Sequence, residues 1–358
     1  MAGRSIVVTG PGKSRRLLEA AATSGVRAVV VESPGELARL EDVARAARVV
    51  VPVLVRLSVD ERQPFGMAWP DLVGAARRAV RSRWLEPLGV HAFGVHAQLG
   101  AGEIARHVAR VVGAATRLAE EAGFRLLLVD AGGGLGIPYA DGEPPLDLEA
   151  LGGRIEGLLC ELGAQAAEAG TGGQDRSEPR IILEPGRFLA GPIGAYLATV
   201  VDVKRLHGRH VAVLDGGINH LLAPALVGRR HRLRLVVGQH GRGGSGRAGI
   251  GRAGIGRAGI GRRPIVPVTL NGPLCTDLDE LARPDAFPEP VPGDLLVALD
   301  AGAYGFTESM PWFLSHRGAA EVAVEGGLAF LARRRLEPAA IIDAQVAVPG
   351  TGAASAAS

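Results

Sequence analysis

The sequence predicts an α/β unit built on a parallel sheet, joined to a mostly β unit. Three observations carry this expectation. Up to residue 187, short β-branched runs alternate six times with helical patterns; the polar residues of those runs gather at their C-terminal ends; past residue 187, strand-like runs follow one another without helical spacers. Alternation of the first kind gives parallel strands covered by helices, either closed as a barrel or doubly wound. The later pattern suits a small β unit.

Taken in order, residues 5–9 (SIVVT) form the first run, which Gly10-Pro11-Gly12 breaks before Leu17, Leu18, Ala21 and Ala22 recur at helical spacing. Residues 28–31 lead into a helix over 34–47, and residues 49–57 lead past the PFGM stretch at 64–67 into a helix over 72–80. A strand over 91–96 precedes a helix with Ile104, Val108, Val111, Val112, Ala115 and Leu118 on one face. Residues 126–129 make the fifth strand, a helix covers 146–167, and residues 181–183 make the sixth. Glu32, Arg56, His96, Asp130 and Glu184 are expected at strand ends, where barrels gather their chemistry. The polar insert 170–178 reads as a loop.

In the second unit, strands are expected over 196–203, 210–214, 232–237, 265–270, 294–299 and 319–324. The expected division is 1–193 for the α/β unit and 194–348 for the β unit. Residues 239–264, where RAGIG occurs three times, read as a disordered insertion, and 349–358 as a disordered tail.

Composition narrows the function classes. With 358 residues, 47% of them hydrophobic and 22% charged, the chain has globular composition and can bury a sizeable core. The net charge is only +3, and the basic residues, 38 Arg and 2 Lys, are spread along the chain with few aromatics between them, which argues against nucleic acid. Cys160 and Cys275 form no disulfide framework and suit a reducing compartment. No run approaches the ~20 apolar residues of a membrane span. A soluble cytoplasmic protein follows, with no metal site expected.

The stretch around which the chain is organised is LLLVDAGGGLGIPY, residues 126–139. A buried strand that ends in Asp130 and opens into Gly132, Gly133, Gly134 and Gly136 lets the backbone approach an anion and turn its N–H groups toward it. Alone, such a cluster is equally a tight turn. A second reading starts from SIVVTGPGKSRRLL, which has the strand, loop, Lys-Ser and helix of a nucleotide-binding P-loop. The first glycine of that loop would have to stand at Val7, so the loop cannot wrap a phosphate. Pro138 likewise stands where a dinucleotide fold needs its helix.

FGVHAQLG, VDAGGGLGIPY, ILEPGRFLAGP, VLDGGINHLLAPAL, GPLCTDLDELA, PGDLL and AGAYGFTESMPWFLSH, in that order, change the balance. Together they resemble the fold-type III pyridoxal-phosphate decarboxylases, which include the ornithine, arginine and diaminopimelate enzymes. The match runs from about Ser5 to about Glu325, and VTGPGKS, GINHLLAPAL and GAYGFTESMPWFLSH look most like the branch acting on carrier-bound amino acids in biosynthetic clusters. The resemblance implies a TIM barrel of the alanine-racemase type plus a C-terminal β domain, pyridoxal 5'-phosphate as cofactor, and a homodimer with shared active sites.

It also implies roles. Removing CO2 from an amino acid leaves an electron pair that a protonated pyridine ring absorbs, and a carboxylate beside the ring nitrogen keeps that proton in place. Glu184 matches that carboxylate, although a strand-end Glu is also a natural partner for Arg187. By the same matching, Gly132, Gly133, Gly134 and Gly186 hold the phosphate, Arg187 adjoins it and Tyr304 adds a hydroxyl. His96 faces one side of the ring, and Cys275 reaches the neighbouring subunit's site for protonation. Asp215, Thr276 and Asp279 match substrate-side or interface positions.

Three departures qualify the resemblance. Where diamine-forming members place an acidic residue after the Cys, this chain has Thr276, which cannot pair a buried ammonium group and so argues for a neutral, acidic or carrier-tethered substrate. Gln98 and Ala101 stand where a second ring-stacking His and a phosphate-binding Ser or Thr are common. Finally, the family's cofactor-bearing lysine lies on a strand two before SIVVTGPGK, and only Lys13 and Lys204 occur here. The expectation is a misassigned start with the barrel's first two strands upstream. The alternative is a non-catalytic binding protein of the same fold.

Overall fold

The computed structural model describes residues 3–168, 179–237 and 263–344. The expected loop at 170–178, all but two residues of the expected insertion 239–264, and the expected tail 349–358 lie outside the described residues. Two compact units emerge: Met1–Pro138 with Pro144–Leu189, and Tyr139–Glu143 with Ala190–Ser358. The change at 189/190 falls four residues before the expected boundary, and 139–143 joins the second unit.

In the first unit, six parallel strands are β1 (Val7–Val8), β2 (Ala28–Val31), β3 (Val51–Leu57), β4 (Leu85–Ala92), β5 (Leu128–Asp130) and β6 (Arg180–Ile182). Their order in the sheet equals their order in the chain. Each crossover therefore steps to the next position, as in a barrel wall, whereas a doubly wound sheet reverses at a switch point. The helices are α1 (Arg15–Thr23), α2 (Pro34–Ala47), α3 (Trp69–Arg81), α4 (Ala101–Ala122) and α5 (Leu148–Glu168). Helix α2 starts where its sequence demands: Ser33 accepts the Glu36 N–H at 3.1 Å, and Pro34 gives up a donor that has no partner in a first turn. The six residues expected on one face of α4 are all buried. Among the described residues, no helix is long and apolar enough to cross a membrane.

Strand β4 departs from expectation. It covers Leu85–Ala92 and not 91–96, so His91 lies on the strand and His96 in the loop beyond it. Pro87 and Gly89 conceal the strand in the sequence, because both are breakers. Gly89 is needed there: a Cβ at this position would lie 1.8 Å from the Leu128 carbonyl oxygen of β5.

The second unit is mostly β. Its main sheet has the order β12 (Glu280–Ala282), β11 (Val268–Asn271), β8 (Arg209–Leu214), β7 (Tyr196–Leu206), β14 (Leu295–Ala298), β9 (Leu233–Val236). Ala198, Val200, Ala212, Leu214, Leu270 and Leu296 form its core. The expected strand over 265–270 splits at Pro267, which has no N–H for a ladder. Its first part, β10 (Ile265–Val266), pairs with β13 (Phe287–Pro288), and its second is β11. A separate hairpin, β15 (Glu321–Glu325) with β16 (Leu328–Arg333), leaves Val322, Val324, Leu328, Phe330 and Leu331 exposed.

Candidate active site

The C-terminal ends of β2 to β6 carry a continuous set of charged groups. Lys13, from the loop after β1, donates to Glu36 at 3.1 Å and to the Gly10 carbonyl. Glu36 also accepts the Glu32 N–H at 2.9 Å, while Glu32 accepts from Arg56 and from the Gly66 N–H. Lys13, Glu36 and Arg56 are buried, and Arg56 also lies 4.8 Å from the centre of the Phe65 ring. Burying such charges is tolerable only because each has a partner. Lys13 is therefore committed to an ion pair, and Ser14 caps α1 by accepting the Leu17 N–H at 3.2 Å. Neither side chain of the GPGKS loop is free for a nucleotide, so the P-loop reading fails on geometry as well as on spacing.

Next to this ladder stand His91 on β4, Asp130 at the end of β5 and Glu184 two residues past β6. One ligand-type atom from each lies within 4.8 Å of the others. His91 Nε2 is 3.7 Å from Glu184 Oε1, close enough for strong attraction but long for a hydrogen bond. The imidazole beside it holds the Glu184 carboxyl below the usual range, burial opposes this, and Arg56 assists. Asp130 behaves in the opposite way. Burial pushes its carboxyl up to about 6; His91, the Gly132 N–H and Arg56 pull it down, and the Glu184 charge adds to the rise. The register explains the meeting of these side chains, since His91 is directly opposite Asp130 and Asp130 opposite Ile182.

The glycine run is packed between its neighbours and is not a simple turn. A Cβ at Gly132, Gly133 or Gly134 would come within 2.6 Å of the carbonyl oxygens of Ala92, Glu184 and Val95 respectively. Gly132 and Gly134 also have positive φ, which a side chain would strain. The Gly132 N–H goes to Asp130 Oδ1 at 3.0 Å, and the Gly132 carbonyl accepts the Glu184 N–H at 2.9 Å. No acceptor among the described residues takes the N–H of Gly133 or Gly134. Beneath the run, buried His107 of α4 sits 3.0 Å from the Ala131 carbonyl and fixes where the loop begins.

The remaining expected residues of this unit are placed as follows. His96 is exposed, 2.9 Å from Gln63 Nε2 and edge-on to Phe93. The loop that carries it bridges to the glycine run, because Gln98 N–H donates to the Gly134 carbonyl and Gly136 N–H to that of Gln98. Gly186 opens the short helix α6 (Gly186–Ala190), and its N–H is already turned to the Glu184 carbonyl at 2.8 Å. Arg187 lies in the same turn and is half-buried.

In the second unit, Cys275 carries an exposed free thiol. Thr276 beside it uses its hydroxyl to accept the Leu278 N–H within its own turn. Asp215 accepts the Thr199 N–H at 2.8 Å, and Tyr304 is exposed with φ of 64°. Asp279 differs most from expectation: it is 1% exposed, and its two carboxylate oxygens accept the Ile218 and Leu274 N–H groups, each at 2.7 Å. So placed, Asp279 ties two loops together.

His91 was missed as a site residue by sequence reasoning. The available signal was its place four residues past Pro87 on an otherwise apolar run, but the breakers hid the strand itself.

Comparison with known proteins accounts for this arrangement. The profile for the pyridoxal-binding domain of pyridoxal-dependent decarboxylases matches residues 1–191. The diaminopimelate decarboxylase of Mycobacterium bovis is 32% identical over 363 residues, covering 92% of this chain and 73% of that protein. The L-glutamyl-[BtrI acyl-carrier protein] decarboxylase of Niallia circulans is 28% identical over 92% of this chain and 75% of its own length. Among solved structures, diaminopimelate decarboxylase from Helicobacter pylori complexed with L-lysine shares the fold at a TM-score of 0.79 and 22% identity, over 96% of this chain and 79% of that one. Six sequential parallel strands, a glycine run set against a strand-end Glu, and a following β unit are thus the parts of one known scaffold, and the chain belongs to the pyridoxal-dependent decarboxylases.

Proposed function

We propose that the chain, when completed by a segment that carries the cofactor-bearing lysine, catalyses loss of CO2 from an amino acid lacking a distal ammonium group, either neutral, acidic or held on a carrier protein. The observation that carries this reading is Glu184, ionised beside a glycine run with two unengaged N–H groups. These residues fit pyridoxal 5'-phosphate: the Gly133 and Gly134 N–H groups suit the phosphate, and an ionised carboxylate suits a protonated pyridine nitrogen. When bound, the cofactor supplies an electron sink for the pair left by the departing CO2. Glu184 would hold the proton at the ring nitrogen. By the family resemblance, His96 would face one side of the ring. Gly186 supports the cradle through its turn, since its own N–H is taken, and Arg187 flanks it. By the family resemblance, Cys275 would return a proton to the substrate carbon in the neighbouring subunit's site, and Asp215 would lie on the substrate side.

Thr276 supports the substrate class, because its hydroxyl is neutral and already used within its turn. The Niallia circulans relative acts on a carrier-bound glutamyl group, which suits the same class. The protein carrying that lysine and supplied with pyridoxal phosphate is expected to release labelled CO2 from carrier-bound or free glutamate in preference to ornithine, lysine or diaminopimelate. Glu184→Ala is expected to slow that release by on the order of 10²-fold or more. Unchanged release in the variant would remove Glu184 from the mechanism, and absence of release with the cofactor bound would favour the binding-protein alternative.

A homodimer goes with this reading, supported by the exposed Cys275 thiol and by the apolar side chains that the β15–β16 hairpin leaves in water. Sedimentation at micromolar concentration is expected to give twice the chain mass. A monomer there would sink the shared-site arrangement.

A further inference from the structure

The mechanism just described uses Glu184 but gives no account of why a histidine is buried behind it. His91 is 1% exposed, and neither ring nitrogen has a hydrogen-bond partner among the described residues. An imidazole buried without partners is costly and calls for a reason. Its surroundings supply one. Charged and titratable groups face it from every neighbouring strand: Arg56 on β3, paired with Glu32 at the end of β2, Asp130 on β5 and Glu184 past β6. Of these, Glu184 is the one open toward solvent, and its oxygen is the atom to which His91 Nε2 points.

We propose that His91 is a positioning residue for Glu184: from the strand behind it, the imidazole orients the carboxylate and keeps it negative, so that its outer oxygen is available to a pyridinium proton. The inference rests on the decarboxylase reading for its purpose, but the arrangement itself belongs to the empty protein. Burial raises the Asp130 carboxyl, the Glu184 charge adds to the rise and His91 opposes it. On Glu184 the same imidazole outweighs burial. Of the two carboxyls in this corner, the one His91 holds below its ordinary range is thus the one open to solvent, while Asp130 has little contact with solvent and serves the Gly132 N–H.

The test is a carboxyl-carbon NMR titration of the cofactor-free protein labelled at Asp and Glu, wild type against His91→Gln. The wild type is expected to show Asp130 titrating at about 6 and Glu184 below the ordinary Glu range. In His91→Gln both midpoints are expected to move upward, which a purely space-filling histidine would not produce. Unchanged midpoints would overturn the proposal. If the variant does not fold, the imidazole nitrogens of the wild type give the answer: the His91 resonances are expected to shift in step with the Glu184 titration, and their indifference to it would overturn the proposal equally. Neither measurement involves pyridoxal phosphate. A protein that binds no cofactor would sink the decarboxylase reading while leaving this result readable.

Discussion

Asp279→Ala is expected to destabilise the second unit by about 2–6 kcal/mol, since it leaves two buried N–H groups without acceptors at about 1–3 kcal/mol each. The two donors, Ile218 and Leu274, belong to loops that leave the same end of the parallel pair β8 and β11. Between the loops the packing leaves no room: a Cβ at Gly217 or Gly272 would lie 1.9 or 2.3 Å from an Asp279 carboxylate oxygen. The Cys275–Thr276 turn hangs from this junction, so its order should fall as well. Hydrogen exchange at Ile218 and Leu274 reads the effect directly, with protection expected to be lost in Asp279→Ala and partly kept in Asp279→Asn. Wild-type protection at both amides in the alanine variant would show that the carboxylate is dispensable.

The second large effect concerns pH. Asp130 has its carboxyl raised to about 6 in the folded protein from an ordinary 3.8. Between those values the folded state binds the proton more tightly than the unfolded state. The stability it contributes is therefore fully present below pH 4 and lost as pH rises through 6, by about 3 kcal/mol. Asn at this position cannot ionise and keeps an oxygen for the Gly132 N–H. The stability of Asp130→Asn relative to wild type is thus expected to improve by about 3 kcal/mol between pH 4 and pH 7, whatever fixed cost the new amide carries. Urea unfolding of both proteins at the two pH values measures it. A difference that does not change with pH would mean that Asp130 is not held neutral by its surroundings.

Much of the fold was legible because local chemistry and tertiary demand agree. The helix Pro34–Ala47 has its cap, its proline and its apolar stripe in sequence, and β2 is an uninterrupted β-branched run buried on both faces. Strand β4 was misplaced because Pro87 and Gly89 oppose strand formation locally, and only the close passage of the Leu128 carbonyl makes the glycine intelligible. The site followed the same division. Glu184 and the glycine run were readable from motifs, and the fold brings them together, with the Glu184 N–H on the Gly132 carbonyl. His91 was not, because the fact that marks it, burial without a partner, belongs to three dimensions. Asp279 shows the converse: the motif flagged it as substrate-side or interface, whereas the residue type is equally demanded by two backbone amides. Strands as short as β12 and β13 carry too few residues for any period to show.

The ladder from Lys13 through Glu36 and Glu32 to Arg56 has a consequence for descent. Each charge is tolerated because its own partner answers it, Lys13 with Glu36 and Arg56 with Glu32, and only the Glu32 backbone N–H joins the two pairs; removing one member of such a buried pair strands the other at a cost of about 3–5 kcal/mol. A lineage cannot cross that gap one substitution at a time without an intermediate that has lost a large part of its margin of stability. Replacement of a pair by apolar side chains would be tolerated, but only if both changes arrived together. Each pair is thus expected to change as a unit, and a relative that has lost Lys13 is expected to have lost the charge at Glu36 with it.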